Sequence, residues 1–176
     1  MHSSEFNEAW EDDPVSRERE EQHLGEVVLS ATIRELEPAA AVLVTESASI
    51  ESVIQQMLEQ GLGAVLVQRE GRTVGIFTER DVLRRVVSCG VGRDRPVSEV
   101  MTPDPESLGP DDGVAFALNR MIVGGFRHIP IVDDQGVPVA VLSQRDVVAF
   151  IVSRMPKRIL NLPPEPRLEA RTPDGG

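Results

Sequence analysis

Apolar residues recur at helical spacing in four stretches of the chain. Ser49–Gln60 carries Ile50, Val53, Ile54, Met57 and Leu58, the i, i+3, i+4, i+7, i+8 stripe of an amphipathic helix. Gly61-Leu-Gly63 follows as its stop signal. Ala64–Val67 and Val74–Phe77 are short apolar runs around a turn at Arg69-Glu-Gly71, which predicts a hairpin. Glu79–Ser88 then places Val82, Leu83, Val86 and Val87 on a second helical stripe, closed by Gly90.

The second half repeats this order. Asp112–Val123 carries Val114, Ala117, Leu118, Met121 and Ile122 and stops at Gly124-Gly125. Ile129–Val132 and Val139–Leu142 flank a turn at Asp133–Gly136, and Gln144–Arg154 carries Val147, Val148, Phe150 and Ile151. Met57 and Met121 lie 64 positions apart, as do Gly61 and Gly125, whereas Asp81 and Asp146 lie 65 apart. One residue is therefore inserted at the second hairpin turn. Two copies of helix–strand–strand–helix imply an α/β (α+β) fold built as a pair. The Met57/Leu58 and Met121/Ile122 pairs are expected to fill its core.

The chemistry concentrates where each second strand meets its helix. Val74-Gly-Ile-Phe-Thr-Glu-Arg-Asp81 and Val139-Ala-Val-Leu-Ser-Gln-Arg-Asp146 both end in a hydroxyl residue followed three positions later by Asp. Thr78 and Ser143 stand where N-caps are expected, with Asp81 and Asp146 at the third helical position, as in a capping box. The same corner offers unpaired N–H groups and a positive dipole end to an anion. A carboxylate there can also accept hydrogen bonds from a ribose diol. Capping and ligand binding both remain open on these residues. Arg127 and His128, beside the strand at Ile129, read either as half of a phosphate clamp or as strand-edge polar residues.

Charge narrows the partners. The chain of 176 residues has a formal charge of −11, which argues against non-specific binding to nucleic acid or an anionic membrane surface. Residues 1–23 hold eight acids and two bases, and their few apolar residues show no sustained period, so they read as a flexible acidic tail. A short helix near Ser16–Leu24 and a docking role for Trp10 are the two structured readings of that tail. Residues 157–176 are Pro-rich and read as extended or disordered. These compositions divide the chain into a tail over 1–23, repeats over 24–95 and 96–156, and a tail over 157–176. The Gly92–Gly109 linker crosses from the first repeat to the second.

The single cysteine, Cys89, excludes an intramolecular disulfide and falls in an apolar pattern, where a buried thiol is expected. No apolar run approaches the roughly 20 residues of a membrane span. The N-terminus lacks the bases and apolar core of a signal peptide, so a cytoplasmic location is expected. No nucleophile–base set, clustered metal ligands or GxxxxGK loop is present, and an enzyme is not expected.

In these motifs the chain resembles a tandem cystathionine-β-synthase (CBS) domain pair, or Bateman module, of the stand-alone bacterial kind. The resemblance rests on Gly75-Ile-Phe-Thr-Glu-Arg-Asp81, Val141-Leu-Ser-Gln-Arg-Asp146, Phe126-Arg-His-Ile-Pro-Ile-Val-Asp133 and Val100-Met-Thr-Pro103, and covers roughly Leu24 to Met155. It implies two β-α-β-β-α units packed sheet to sheet, with a cleft on each side of a pseudo-twofold axis. It further implies a homodimer formed through the helices of the repeats, with part of their apolar stripes lying between protomers, and an adenosyl ligand in the clefts. AMP, ADP or ATP, with or without Mg²⁺, are the first candidates, and NAD and S-adenosylmethionine rank below them. No covalent cofactor and no metal is implied, and the effector protein would act in trans.

Carried over by residue, Thr78 and Ser143 would contact phosphate, Asp81 and Asp146 would hold ribose hydroxyls, and Thr102 would lie near ribose or base. Arg127 and His128 would reach phosphates. The copies differ in these accessory residues. Gly63-Ala64 stands where the second copy has Arg127-His128, and the approximate counterpart of Met101-Thr102 is Glu37-Pro38. One stronger and one weak or empty cleft are therefore expected. The alternative is an assembly scaffold with no working nucleotide site.

Overall fold

The computed structural model describes residues 25–154. The expectations for the acidic tail, the Ser16–Leu24 helix, Trp10 and the Pro-rich tail fall outside those residues.

The main elements are β1 (Leu43–Thr45), α1 (Ile50–Gln60), β2 (Ala64–Arg69), β3 (Arg72–Thr78), α2 (Glu79–Asp81, continued as a wider helix over Val82–Val87), β4 (Thr102–Pro103), α3 (Val114–Gly124), β5 (His128–Val132), β6 (Pro138–Ser143) and α4 (Gln144–Ser153). Their capping follows the sequence signals. The Ser49 hydroxyl accepts from Ser52 N at the start of α1. Gly61 and Gly125 end α1 and α3 in the left-handed region, with φ 63° and 69°, where a side chain would be strained. Asp133 Oδ1 accepts from the amides of Gln135 and Val137, both at 2.9 Å, and fixes the longer second hairpin loop.

Strands β1–β4 form one sheet in sequence order. β1 runs parallel to β2 with Val44 opposite Val67, and β2 pairs antiparallel with β3. Strands β5 and β6 form the second sheet, which isolated bridges extend on both sides. Leu108 bridges Ile131 in parallel, repeating the β1–β2 relation, and Ala40 bridges Ala140. The sheets meet through Ala64, Leu66 and Ile76 from one side and Val141 from the other.

Each repeat has its own core, and each core borrows from the chain that precedes the other. Ala31 and Ile33 are buried with Val114, Met121, Ile129 and Leu142 of the second repeat. Ile33 N donates to Asp112 O and Val114 N to Ala31 O, which ties this early segment to the start of α3. In return, Val97 and Val100 of the linker are buried with Ile50, Val65 and Phe77 of the first repeat. Ile50 N donates to Arg95 O and Val97 N to Ala48 O. This exchange brings β4 beside β3 and residues 39–41 beside β6, so each strand-to-helix corner gains a neighbouring strand.

Three expectations about packing need correction. Met57 and Met121 are buried, but Leu58 and Ile122 are 71% and 66% exposed. A helix lying on a sheet buries a row narrower than the five-residue stripe in the sequence. On α2, Val86 is buried while Leu83 and Val87 are exposed. Cys89 is exposed as well, because it lies beyond the helix in the turn closed by Gly90, with its thiol 3.4 Å from Arg84 O.

Candidate ligand clefts

Both corners are capping boxes. Thr78 N and Oγ1 donate to Asp81 Oδ2 at 3.0 and 2.7 Å, and Asp81 N donates to Thr78 Oγ1 at 3.4 Å. Ser143 N and Oγ donate to Asp146 Oδ2 at 2.8 and 2.7 Å, and Asp146 N donates to Ser143 Oγ at 3.1 Å. Aspartate stands in both boxes where glutamate is the usual partner, and each hydroxyl residue is in extended conformation at the strand end. Each carboxylate is thus oriented before any ligand arrives.

Each corner opens on its own cleft. The first, of about 480 Å³, is lined by Thr78, Asp81, Thr102 and Ile76 from the first sheet side and by Phe126, Arg127 and His128 from the second repeat. The second, of about 670 Å³, is lined by Ser143, Asp146 and Val141, by Ala39 and Ala40, and by Gly61–Ala64. Both volumes lie in the range of small-molecule sites. Arg127 and His128 line both clefts, as do Gly63 and Glu79. The structure therefore brings Thr78, Asp81, Thr102, Arg127 and His128 together in one cleft, and Ser143 and Asp146 with the same Arg127 and His128 in the other.

Strand register corrects one alignment. Thr102 pairs with Ile76, whereas Ala40 pairs with Ala140, which sets Ala39 opposite Val141. The second-cleft counterpart of Thr102 is therefore Ala39, one residue beyond Pro38, and a methyl replaces the hydroxyl. Gly75, the counterpart of Ala140, leaves room for the Met101 side chain: a Cβ there would stand 2.2 Å from Met101 Sδ and would displace it.

Three arginines not singled out from the sequence also line the first cleft: Arg80, Arg84 and Arg85. Arg85 Nε lies 3.4 Å from Asp81 Oδ1, and its Nη1 donates to Val100 O at 3.1 Å and also to Met101 O. It thereby ties the corner of α2 to the strand that carries Thr102. Arg80 donates to Gly125 O and ties α2 to the second repeat. Over Val82–Val87 the helix widens to i→i−5 hydrogen bonding, a form found in short stretches and frequently at functional sites. Positions 149 and 150 of the second repeat, matching Arg84 and Arg85, are Ala149 and the buried Phe150. The signal was present as Arg80, Arg84 and Arg85 on the α2 face that carries Asp81, but an apolar stripe on the same helix masked it.

His128 sits between the clefts. A Cβ on Gly63 would stand 3.0 Å from His128 Nε2 and 3.8 Å from Glu79 Oε2, so the imidazole packs on bare backbone near that carboxylate. Desolvation lowers its pKa below the ordinary 6.5, and Arg127 and Arg80 act in the same sense, against Glu79 and Asp146. The unfolded chain therefore protonates before the folded one does. The stability contributed by neutral His128 is full above about pH 6.5 and falls as pH drops below it. Chemical denaturation at pH 7.5 and pH 5.5 should show a smaller acid-side loss for His128→Gln than for the wild type. Equal losses would show that His128 titrates alike in both states.

The CBS domain family model matches the chain twice, over residues 33–88 and 97–153. The chain belongs to the CBS domain family. A 17.7 kDa protein of Acidianus ambivalens is 30% identical over 125 residues, covering 70% of this chain and 75% of that protein. A CBS domain-containing protein of Arabidopsis thaliana is 38% identical over 95 residues, which are 53% of this chain but only 17% of that relative. Among solved structures, a CBS domain protein from Pyrobaculum aerophilum complexed with AMP superposes with a TM-score of 0.63 at 25% identity, covering 69% of this chain and 98% of that one. Among the described residues of this CBS pair, no helix is long and apolar enough to cross a membrane. No group of three or more His, Cys, Asp or Glu among them is placed to hold a metal ion.

Proposed function

We propose that this CBS pair is a regulatory module that binds an adenine nucleotide in the first cleft and signals to a partner protein in trans. The observation that carries the reading is the convergence of Thr78, Asp81, Thr102, Arg127 and His128 on one cavity of about 480 Å³. A preoriented carboxylate suits the ribose diol. The N-terminus of α2 with its hydroxyl suits the phosphate, as do the arginines around it. The AMP complex of the Pyrobaculum relative supports the same ligand class.

Magnitude favours a sensor. A mononucleotide of about 23 heavy atoms at roughly 0.3 kcal/mol per atom yields about 7 kcal/mol, a dissociation constant near 10 μM. AMP or ADP fits the charge better than ATP. Arg80, Arg84, Arg85 and Arg127 share the first cleft with Glu79, Asp81 and Asp104, while Glu106 there is paired with Arg120, leaving little surplus positive charge for a triphosphate without Mg²⁺. NAD and S-adenosylmethionine remain as lower-ranked members of the same class. The exposed apolar positions Leu58, Leu83, Ile122 and Val148, one on each of the four helices, support a homodimer formed through those helices.

Calorimetric titration with AMP, ADP, ATP with and without Mg²⁺, NAD and S-adenosylmethionine tests the reading. The expected result is AMP or ADP binding in the micromolar range. Silence across the panel from folded protein would sink it and leave an assembly scaffold whose corners serve as helix caps.

A further inference from the structure

Two clefts that share a wall cannot be independent toward anions if the wall carries their common cation. Arg127 lines both, with His128 and Glu79 beside it. The clefts are unequal in what else they hold. The first has Arg80, Arg84 and Arg85 of its own, whereas the second has only Arg145. Arg127 is therefore one of four arginines in the first cleft and one of two in the second.

The backbone keeps Arg127 at the boundary. Its carbonyl accepts from Gln144 N at 2.8 Å, at the start of α4, so its Cα is held at the second corner. The matching bond on the other side, Glu79 N to Gly63 O at 3.2 Å, puts glycine in that place, with no side chain to offer. The pseudo-twofold pair thus has a single long cation where symmetry would supply two.

We infer that the two clefts are coupled through this wall, so that an anionic ligand in one weakens binding of a second in the other, with Arg127 the side chain they compete for. The inference rests on the nucleotide reading above. A phosphate in the first cleft draws the guanidinium toward itself and places negative charge against the shared wall. The second cleft then keeps Arg145 and loses half its positive charge. Reciprocity requires the same factor in the opposite direction. The expected factor is about tenfold, within the range usual for coupled sites. The pair would then respond to ligand over a wider concentration span than either cleft alone.

AMP titrations of the wild type, Asp81→Ala and Thr102→Phe test this. Thr102→Phe fills the first cleft and Asp81→Ala weakens it below the second, and Thr102→Phe leaves the capping bonds of Thr78 and Asp81 in place should the other variant lose its fold. The wild type is expected to bind AMP in two steps, the second weak. In either variant the second cleft, acting alone, should bind AMP about tenfold more tightly than that second step. Adding Arg127→Gln should abolish the gain. A wild type that stops at one AMP, beside variants that take one in the second cleft, would be the same result in its strongest form. Equal affinities for the second cleft with and without a working first cleft would overturn the coupling and leave nucleotide binding standing. Variants that bind no AMP at all would also overturn it, since the second cleft would then not be a site. No heat from the wild type would overturn the nucleotide reading itself, and the coupling with it.

Discussion

Asp81→Ala should weaken AMP binding in the first cleft by ten- to a hundredfold, while Asp146→Ala leaves that cleft nearly unchanged. Hydrogen bonds to a charged group contribute about 1.5–3 kcal/mol, and a ribose diol on a buried carboxylate is of that kind. Asp81 is 7% exposed, and Arg85 beside it holds the oxygen that does not serve the cap. The energy of orienting the group is therefore already spent in folding. Asp146 has the same cap but neither the arginine nor a hydroxyl in the place of Thr102. Removing either cap partner also destabilises its helix by about 1 kcal/mol, so affinity must be read below the unfolding transition. Equal losses in the two variants would show that the accessory residues do not decide which cleft works.

The corners were legible because capping, periodicity and strand composition agree locally. Gly61, Thr78, Gly125 and Ser143 all do in the structure what their position in the sequence implies. What was not legible depends on distant chain. Nothing near Ala31 and Ile33 announces that they complete the core of the second repeat, since their partners begin about 75 positions later at Leu108. The place of Ala39 opposite Val141 follows from strand pairing, which a count along the repeat misses by one residue. Arg84 and Arg85 were hidden by their own helix. Val82 and Val86 satisfy a helical stripe, and the local widening over Val82–Val87 has no signal in residue type.

Phe77→Ala should lower the unfolding free energy by about 3–5 kcal/mol, the usual cost of emptying a buried aromatic site. Phe77 is fully buried, among Ile50, Val53, Val65 and the linker residues Val97 and Val100. A domain of this size is stable by about 5–15 kcal/mol, so the loss is a large part of the total. It should also act at a distance. The next residue, Thr78, caps α2 and opens the first cleft, and the linker that packs on Phe77 carries Thr102. The first cleft should therefore lose its ligand before the second does as denaturant rises. Leu58→Ala is the matched control, on the helix stripe that sequence alone would bury. At 71% exposure it should change protomer stability by less than about 0.5 kcal/mol. A larger loss for Leu58→Ala that is present at high protein concentration and shrinks on dilution is what the proposed homodimer contact through this helix would add. Denaturant titrations of both variants at two protein concentrations separate these outcomes. A loss at Phe77 no greater than at Leu58 would contradict the core assigned to the first repeat.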